Sequence, residues 1–325
     1  MKNNKAILIL ALIATSLMSL ILGSSQMGLR ELMSGLFMRE GFDTVSVIIY
    51  HVRLPRLCAS ILSGIGLSLS GVLLQSITDN KLASPGIIGV NSGAGFASIM
   101  LLYFLPVFFY ILPFAAFAGA FLSTLVILGL SRLAGDRKST LILAGIAMQS
   151  LLGAGISFIS MLDSDVLTSY NYFSIGGFSG VLIAELIVPA IIIVVCLLIS
   201  LLLSGKIELI CLGDAYASSL GVRVKLLRLV CVICASASAA SVVSFAGLLG
   251  FVGLIVPHIA RYLTKGGTRA VVTTSALVGS ILVTLADLLG RTAFAPTEVP
   301  VGIIMALLGA PFFLILLIGG RKKGA

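Results

Sequence analysis

The sequence predicts an all-α fold: a polytopic membrane protein of about ten transmembrane helices with both termini cytoplasmic. Three observations carry that expectation. Of 325 residues, 59% are hydrophobic and only 10% are charged, whereas a soluble globular domain carries about a quarter charged residues. Mean hydropathy is +1.19, too apolar to dress a water-facing surface. Apolar runs also recur at the length of about 20 residues that a helix needs to cross a bilayer.

The runs fall at 6–24, 56–77, 86–105, 107–130, 140–161, 181–203, 227–247, 250–263, 270–290 and 300–319, within one membrane domain, 1–325. Lys2 and Lys5 precede the first. It is longer than the apolar core of a signal peptide and no clear cleavage site follows, so it reads as a retained span. The second carries Ser60, Gly64, Ser68 and Gly71 at steps of four, four and three. Such a stripe lets helix backbones approach closely; direct substrate contact is the alternative. A polar break at Thr78-Asp79-Asn80-Lys81 ends that helix, and Pro85-Gly86 starts the third. The fifth repeats the small-residue device with Gly145 and Gly153 around Gln149. A buried Gln needs a partner, which leaves open a water-filled path or a bond to another helix. The eighth run is the shortest, and Pro257 is expected to kink or end its helix.

Charge supplies the orientation. A net charge of +9 in a soluble protein would suggest nucleic acid; here it reads as topology, with no nucleic-acid partner, because Lys and Arg collect in cytoplasmic loops. With the N-terminus inside, all but Arg30, Arg39, Arg53, Arg56 and Arg291 of the 21 basic residues lie on the inner side. Dropping the eighth span would move the basic tail Arg321-Lys322-Lys323 outside, against the rule. The chain is thus expected as a multi-pass protein of the cell (inner or plasma) membrane, surrounded by lipid.

The five outer arginines are the anomaly. Arg53 and Arg56 flank Pro55 at the mouth of the second span, three positions apart, and can share a helix face. They read as anchors snorkelling to headgroups or as a cationic socket for a partner's carboxylate. Arg291 can instead pair within its helix with Asp287, one turn earlier.

The longest inner loop, 204–228, mixes Ile207, Leu209, Ile210, Leu212, Leu220 and Val222 with Glu208, Asp214 and glycines. A plain linker would be more polar. Short amphipathic helices offered to a cytosolic partner explain it better, and Gly213-Asp214 can start one with the acid near its positive end.

Catalytic chemistry is not visible. The cysteines (Cys58, Cys196, Cys211, Cys231, Cys234) lie mostly in apolar runs and read as small core residues. His258 and His51 are expected on opposite sides, so no catalytic, cofactor-binding or metal site is expected. There is no G-x-x-x-x-G-K-[ST] phosphate loop. Intramembrane acids for an ion circuit are scarce apart from Asp287. Transport energy, if used, is expected from another subunit. A secondary transporter or channel would need a coupling-ion site or selectivity ring, and a membrane enzyme a reactive cluster; neither is found.

The landmarks Arg53-Leu54-Pro55-Arg56, Gly71 to Gln75, Asn80 to Pro85 into Gly89-Val90-Asn91-Ser92-Gly93-Ala94, and Leu143 to Ala147 run in order through the first half. Leu212-Gly213-Asp214, Leu220-Gly221-Val222, Gly250 to Leu254, Pro257-His258 with Arg261, Ala286-Asp287, Arg291, Glu298 to Gly302 and Leu308 to Pro311 complete them. Jointly they resemble the FecCD family, the membrane subunits of ABC importers for iron chelates, haem and cobalamin, over almost the whole length. The chain departs at Asn80-Lys81-Leu82-Ala83, where the family has Asn-Pro-Leu-Ala, and at Gly247-Leu248, where it has Gly-Pro. Phe173 to Gly177 replaces a Trp-x-x-Gly-Ser pattern.

The resemblance implies a homodimeric permease with the substrate path on its two-fold axis, two cytoplasmic ABC ATPase subunits, and an extracytoplasmic solute-binding protein. It implies that Arg53, Arg56 and Arg291 are sockets for glutamates on the binding protein, where rim charges set register and encounter rate. It implies that Leu212, Gly213, Asp214, Ala217, Leu220 and Gly221 seat in the ATPase. Arg132, Asp136, Arg137 and Ser139 resemble an inner gate. Gly64, Ser68, Gly71, Gln75, Gly145 and Gln149 would serve packing or the pathway. The implied mechanism is alternating access by near-rigid helix motion. The implied cargo is a ferric siderophore, with haem or cobalamin as alternatives.

Overall fold

The computed structural model describes residues 2–23, 44–135, 138–264 and 266–321. Among them the chain is helical, without a strand. Helix α1 is Lys2–Ile21; α2, Thr44–Ile48, continues through a π turn, Ile49–Arg53, into α3, Leu54–Thr78. Then come α4 (Val90–Phe104), a 3-10 turn (Pro106–Ile111), α5 (Leu112–Leu133), α6 (Lys138–Leu162), α7 (Ser164–Ile175) and α8 (Ile183–Leu202). The second half holds α9 (Ser204–Cys211), α10 (Asp214–Ser219), α11 (Val224–Ala246), α12 (Val252–Leu263), α13 (Thr268–Thr292) and α14 (Val301–Arg321).

Helix occupies each apolar interval of the sequence. Six stretches are long and apolar enough to cross a bilayer: Val45–Thr78, Pro106–Leu133, Thr140–Leu162, Ile183–Leu202, Val224–Ala246 and Thr268–Thr292. Lys5–Ile21, Val90–Phe104, Val252–Leu263 and Val301–Ile315 are shorter apolar helices. The chain is a multi-pass membrane protein.

Helix α3 is the axis of the bundle. Of the most apolar window in Val45–Thr78, 78% is buried within the chain, against 11% for Thr140–Leu162, so α3 is core and α6 is periphery. Apolar side chains gain nothing by leaving lipid for protein, so close backbone packing must hold α3 to its neighbours. The small residues provide it. A Cβ on Gly64 would overlap the backbone of Gly279 on α13, and a Cβ on Gly71 that of Gly253 on α12. Polar pairs follow the same seams. Ser60 Oγ and Thr284 Oγ1 are 2.9 Å apart, and Ser280 Oγ donates to the Ile61 carbonyl at 3.2 Å.

Two details depart from the sequence reading, and a third removes one of its two alternatives. Helix α4 starts at Val90 rather than at 86, because Pro85-Gly86 lies inside a run of turns. The Ser123 and Thr124 hydroxyls of α5 satisfy that run's carbonyls, donating to Gly89 at 2.7 Å and Ile88 at 3.2 Å. Helix α7 was not expected. Asp163 caps it, accepting from the backbone N–H groups of Asp165 and Val166 at 2.8 and 3.2 Å, which satisfies two first-turn donors. Finally, Pro257 sits inside α12, which runs on to Leu263. Proline has no N–H, so the Gly253 carbonyl four residues earlier loses its usual donor. The Gln75 amide takes that place, donating to Gly253 O at 3.3 Å.

Candidate functional site

One end of the bundle holds a compact ionic cluster. Pro55 lies where the π turn passes into α3, and Arg56 follows it against the last turns of α13. Arg56 Nε donates to Asp287 Oδ1 at 2.9 Å and its Nη1 to Glu298 Oε2 at 2.7 Å. Asp287 Oδ2 lies 3.0 Å from Arg291 Nε, one turn along α13. The carboxylate is thus held between two guanidinium groups.

The other arginine contacts reach α1. Arg53 donates to the carbonyls of Leu20 and Ile21, the latter at 2.7 Å. Arg291 Nη2 donates to Ser19 Oγ at 2.8 Å and Ser19 O at 3.2 Å, and its Nη1 to Leu22 O at 3.4 Å. The last carbonyls of a helix have no partner within it, and cations there also suit the negative end of its dipole. Arg53 and Arg291 therefore finish α1. Arg53, Arg56 and Arg291 are 3%, 6% and 4% exposed. Glu298, at 33% side-chain exposure, is the part of the cluster most open to solvent.

Beside the cluster lies a cleft of about 530 Å³ between α7, the start of α8, the end of α11 and the 293–300 loop. Arg56, Glu298, Glu185, Tyr110, Tyr172 and Phe245 contribute to its wall.

The other end is reached along α13. Its 25 residues span roughly 37 Å at helical rise. There the Glu208 carboxylate of α9 accepts from the Thr268 N–H at 3.3 Å, at the start of α13. Ile207 and Ile210 are buried and seat α9 in the core. Helix α10 begins at Asp214, as the sequence suggested, and Asp214 is bound by Arg228 of α11 at 2.8 and 3.1 Å. Gly221, at φ +79°, occupies the left-handed region where side chains other than Gly are strained. Ala217 faces inward, while Leu212, Tyr216 and Leu220 are exposed at intervals of four. Tyr216 and Leu220 are one turn apart and offer an apolar face, whereas Leu212 lies before the non-helical Gly213.

The sequence model of the FecCD transport family matches residues 10–319. The chain belongs to that family. An Fe(3+)-citrate import system permease protein of Bacillus subtilis is 36% identical over 321 residues, covering 96% of this chain and 94% of that protein. A hemin transport system permease protein of Yersinia pestis is 32% identical over 323 residues, covering 97% of each. A solved inward-facing conformation of a metal-chelate type ABC transporter superposes with a TM-score of 0.83 at 29% identity, covering 98% of this chain and 99% of that one.

Within this FecCD chain the expected site residues fall into separate places. Arg53, Arg56 and Arg291 come together; Arg56 and Arg291 share the internal Asp287, Arg56 also binds Glu298, and Arg53 holds backbone carbonyls of α1. Leu212 to Gly221 form the α10 segment. Gly64, Ser68 and Gly71 lie at helix seams, and Gly145 packs against the Ile87 carbonyl. Gln75 is buried, whereas Gln149 is exposed on α6. Arg132 is exposed in the last turn of α5; Asp136 and Arg137, and the side chain of Ser139, lie outside the described residues. The sequence reading missed Glu298 and Arg228 as partners. Arg56 and Glu298 are 242 positions apart and Asp214 and Arg228 are 14, so no helical spacing announces either pair.

Proposed function

We propose that this chain is the membrane-spanning permease subunit of a binding-protein-dependent ABC importer, translocating an iron-siderophore complex by ATP-driven alternating access. The match of the FecCD transport family across residues 10–319 carries the reading. The relatives are named as permeases for ferric citrate and hemin, so an iron chelate is the first cargo proposed, with haem and cobalamin as alternatives.

The whole chain, 1–325, acts as one permease domain crossing the membrane ten times, with both termini cytoplasmic. Residues 204–228 form the coupling loop for a separate ATPase that performs the hydrolysis. Leu212, Tyr216 and Leu220 support this: they are apolar and exposed, on a segment seated in the core. Two copies form a homodimer around the substrate path. Gln149 supports that part. It stands exposed near the middle of a 25-residue helix, and a polar amide facing hydrocarbon is costly. A second copy or a water-lined path meets that need. Arg132, Asp136, Arg137 and Ser139 belong to the inner gate. The binding protein docks over the arginine cluster and the adjoining cleft. Because the arginines are internally paired, a partner's carboxylate would reach Arg56 by competing with Glu298.

An ion-coupled secondary transporter is a poor fit, since the buried Asp287 is already committed to two arginines. The test is uptake of labelled ferric siderophore, haem and cobalamin by cells with and without the gene. Loss of one cargo, restored by the gene and dependent on ATP, supports the reading. Uptake that follows an ion gradient and survives ATP depletion overturns it.

A further inference from the structure

At the α9 end, a groove of about 360 Å³ runs between the junction of α8 with α9 and the start of α11. Leu203, Val222, Leu226 and Val230 give it an apolar wall, and Lys206 and Arg223 stand at its rim. Arg223 immediately precedes the apolar stretch Val224–Ala246, and Lys206 follows shortly after Ile183–Leu202. Both cations therefore stand where helices leave hydrocarbon. Leu226, in the apolar wall, is exposed.

These two cations are unneutralised among the described residues. The acids of the same segment are engaged elsewhere: Glu208 with the Thr268 N–H at 3.3 Å and Asp214 with Arg228 at 2.8 Å. The first turn of α11 also has no side-chain cap, so its N–H groups remain open to an acceptor.

We propose that this groove binds an anionic glycerophospholipid, its phosphate between Lys206 and Arg223 and an acyl chain along Leu203, Leu226 and Val230. An apolar trough meeting paired cations at headgroup level suits that ligand in both halves. Basic pockets between membrane helices take anionic headgroups on this basis. Free phosphate would leave the apolar wall unused, and a zwitterionic lipid would not neutralise the rim. The proposal requires the chain to sit in a membrane and is independent of its cargo.

The test uses the full chain in phosphatidylcholine nanodiscs, with and without phosphatidylglycerol of matched acyl chains, read by thermal midpoint and by native mass spectrometry of retained lipid. Phosphatidylglycerol should raise the midpoint and be retained. The double replacement Lys206→Ala with Arg223→Ala should weaken its retention about thirtyfold, two surface cations being lost. Lys206→Arg with Arg223→Lys should keep it, as should Lys225→Ala, which lies off the groove. Equal retention by the double-alanine variant overturns the proposal. So does equal stabilisation by added phosphatidylcholine or by inorganic phosphate. Displacement of the lipid on adding ATPase subunits would mark the groove as a protein seat instead, and also overturns it.

Discussion

Gln75 stands in for the backbone donor that Pro257 removes. Its amide donates to the Gly253 carbonyl at 3.3 Å, and its own oxygen accepts from Arg261 Nη1 at 2.5 Å. One side chain on α3 thereby closes a gap in the ladder of α12 and holds an arginine one turn beyond the proline.

Gln75→Leu keeps the volume and deletes both bonds. It leaves a carbonyl and a guanidinium short of partners in a buried place, a cost of about 2–4 kcal/mol. The expected result is a clearly lower thermal midpoint for the purified chain. A midpoint equal to wild type would show that water or another group fills the gap.

Asp287→Ala should be more damaging. It leaves Arg56 and Arg291 facing each other without the carboxylate between them. Removing one partner from a buried pair costs roughly 3–5 kcal/mol. Denaturant titration or expression level reads the loss. Glu298→Gln should cost less, because its carboxylate is partly solvated and Arg56 retains Asp287.

Gly64→Val tests the α3–α13 seam. The added atoms have no space beside the Gly279 backbone, and overpacking typically costs about 1–3 kcal/mol. We expect a lowered midpoint and a poorly monodisperse protein in detergent. Val at Gly153, where a Cβ meets nothing within 4 Å, is the matched control and should leave the isolated chain's stability unchanged.

Leu220→Asp and Tyr216→Asp test the apolar face of the α10 segment. Both side chains are exposed, so the fold should be unaffected. Copurification with the ATPase should fall at least about tenfold, as for a hot-spot residue. Undiminished copurification of both variants would place the ATPase seat elsewhere.

Arg56→Glu probes the opposite end. The substituted carboxylate meets Asp287 and Glu298, so repulsion replaces two ion pairs. Expression should fall as for Asp287→Ala, and uptake per copy of the ATPase-bound complex should fall as well. Normal uptake would argue against both the docking reading and a structural need for the pair.

Hydropathy made the helix intervals legible, because a run such as 181–203 has few alternatives to a membrane helix. The spacing of Ser60, Gly64, Ser68 and Gly71 likewise marked the packing face of α3. Helix α7 was hidden by its mixed composition, with only Asp163 and Gly176 as end signals. Pro257 suggested a kink or an end, and nothing nearby in sequence reveals that Gln75, 178 positions away from Gly253, supplies the donor the proline lacks. The arginines were legible as unusual, but their environment was not. Burial of Arg56 depends on Asp287, 231 positions later, a relation that composition and helical period do not carry.

The way α1 ends has a consequence for biosynthesis. Ser19 and Arg291, which meet at 2.8 Å, are separated by 272 positions. During synthesis, the terminal turn of α1 therefore waits for nearly the entire chain before that cation arrives. Arg53 can already hold the Leu20 and Ile21 carbonyls, so a crosslink between positions 19 and 291 is the readout: ribosome-stalled chains should form it only once α13 has emerged. The end of α1 is thus closed in two stages, by Arg53 early and by Arg291 when α13 docks, and its finished form records that docking.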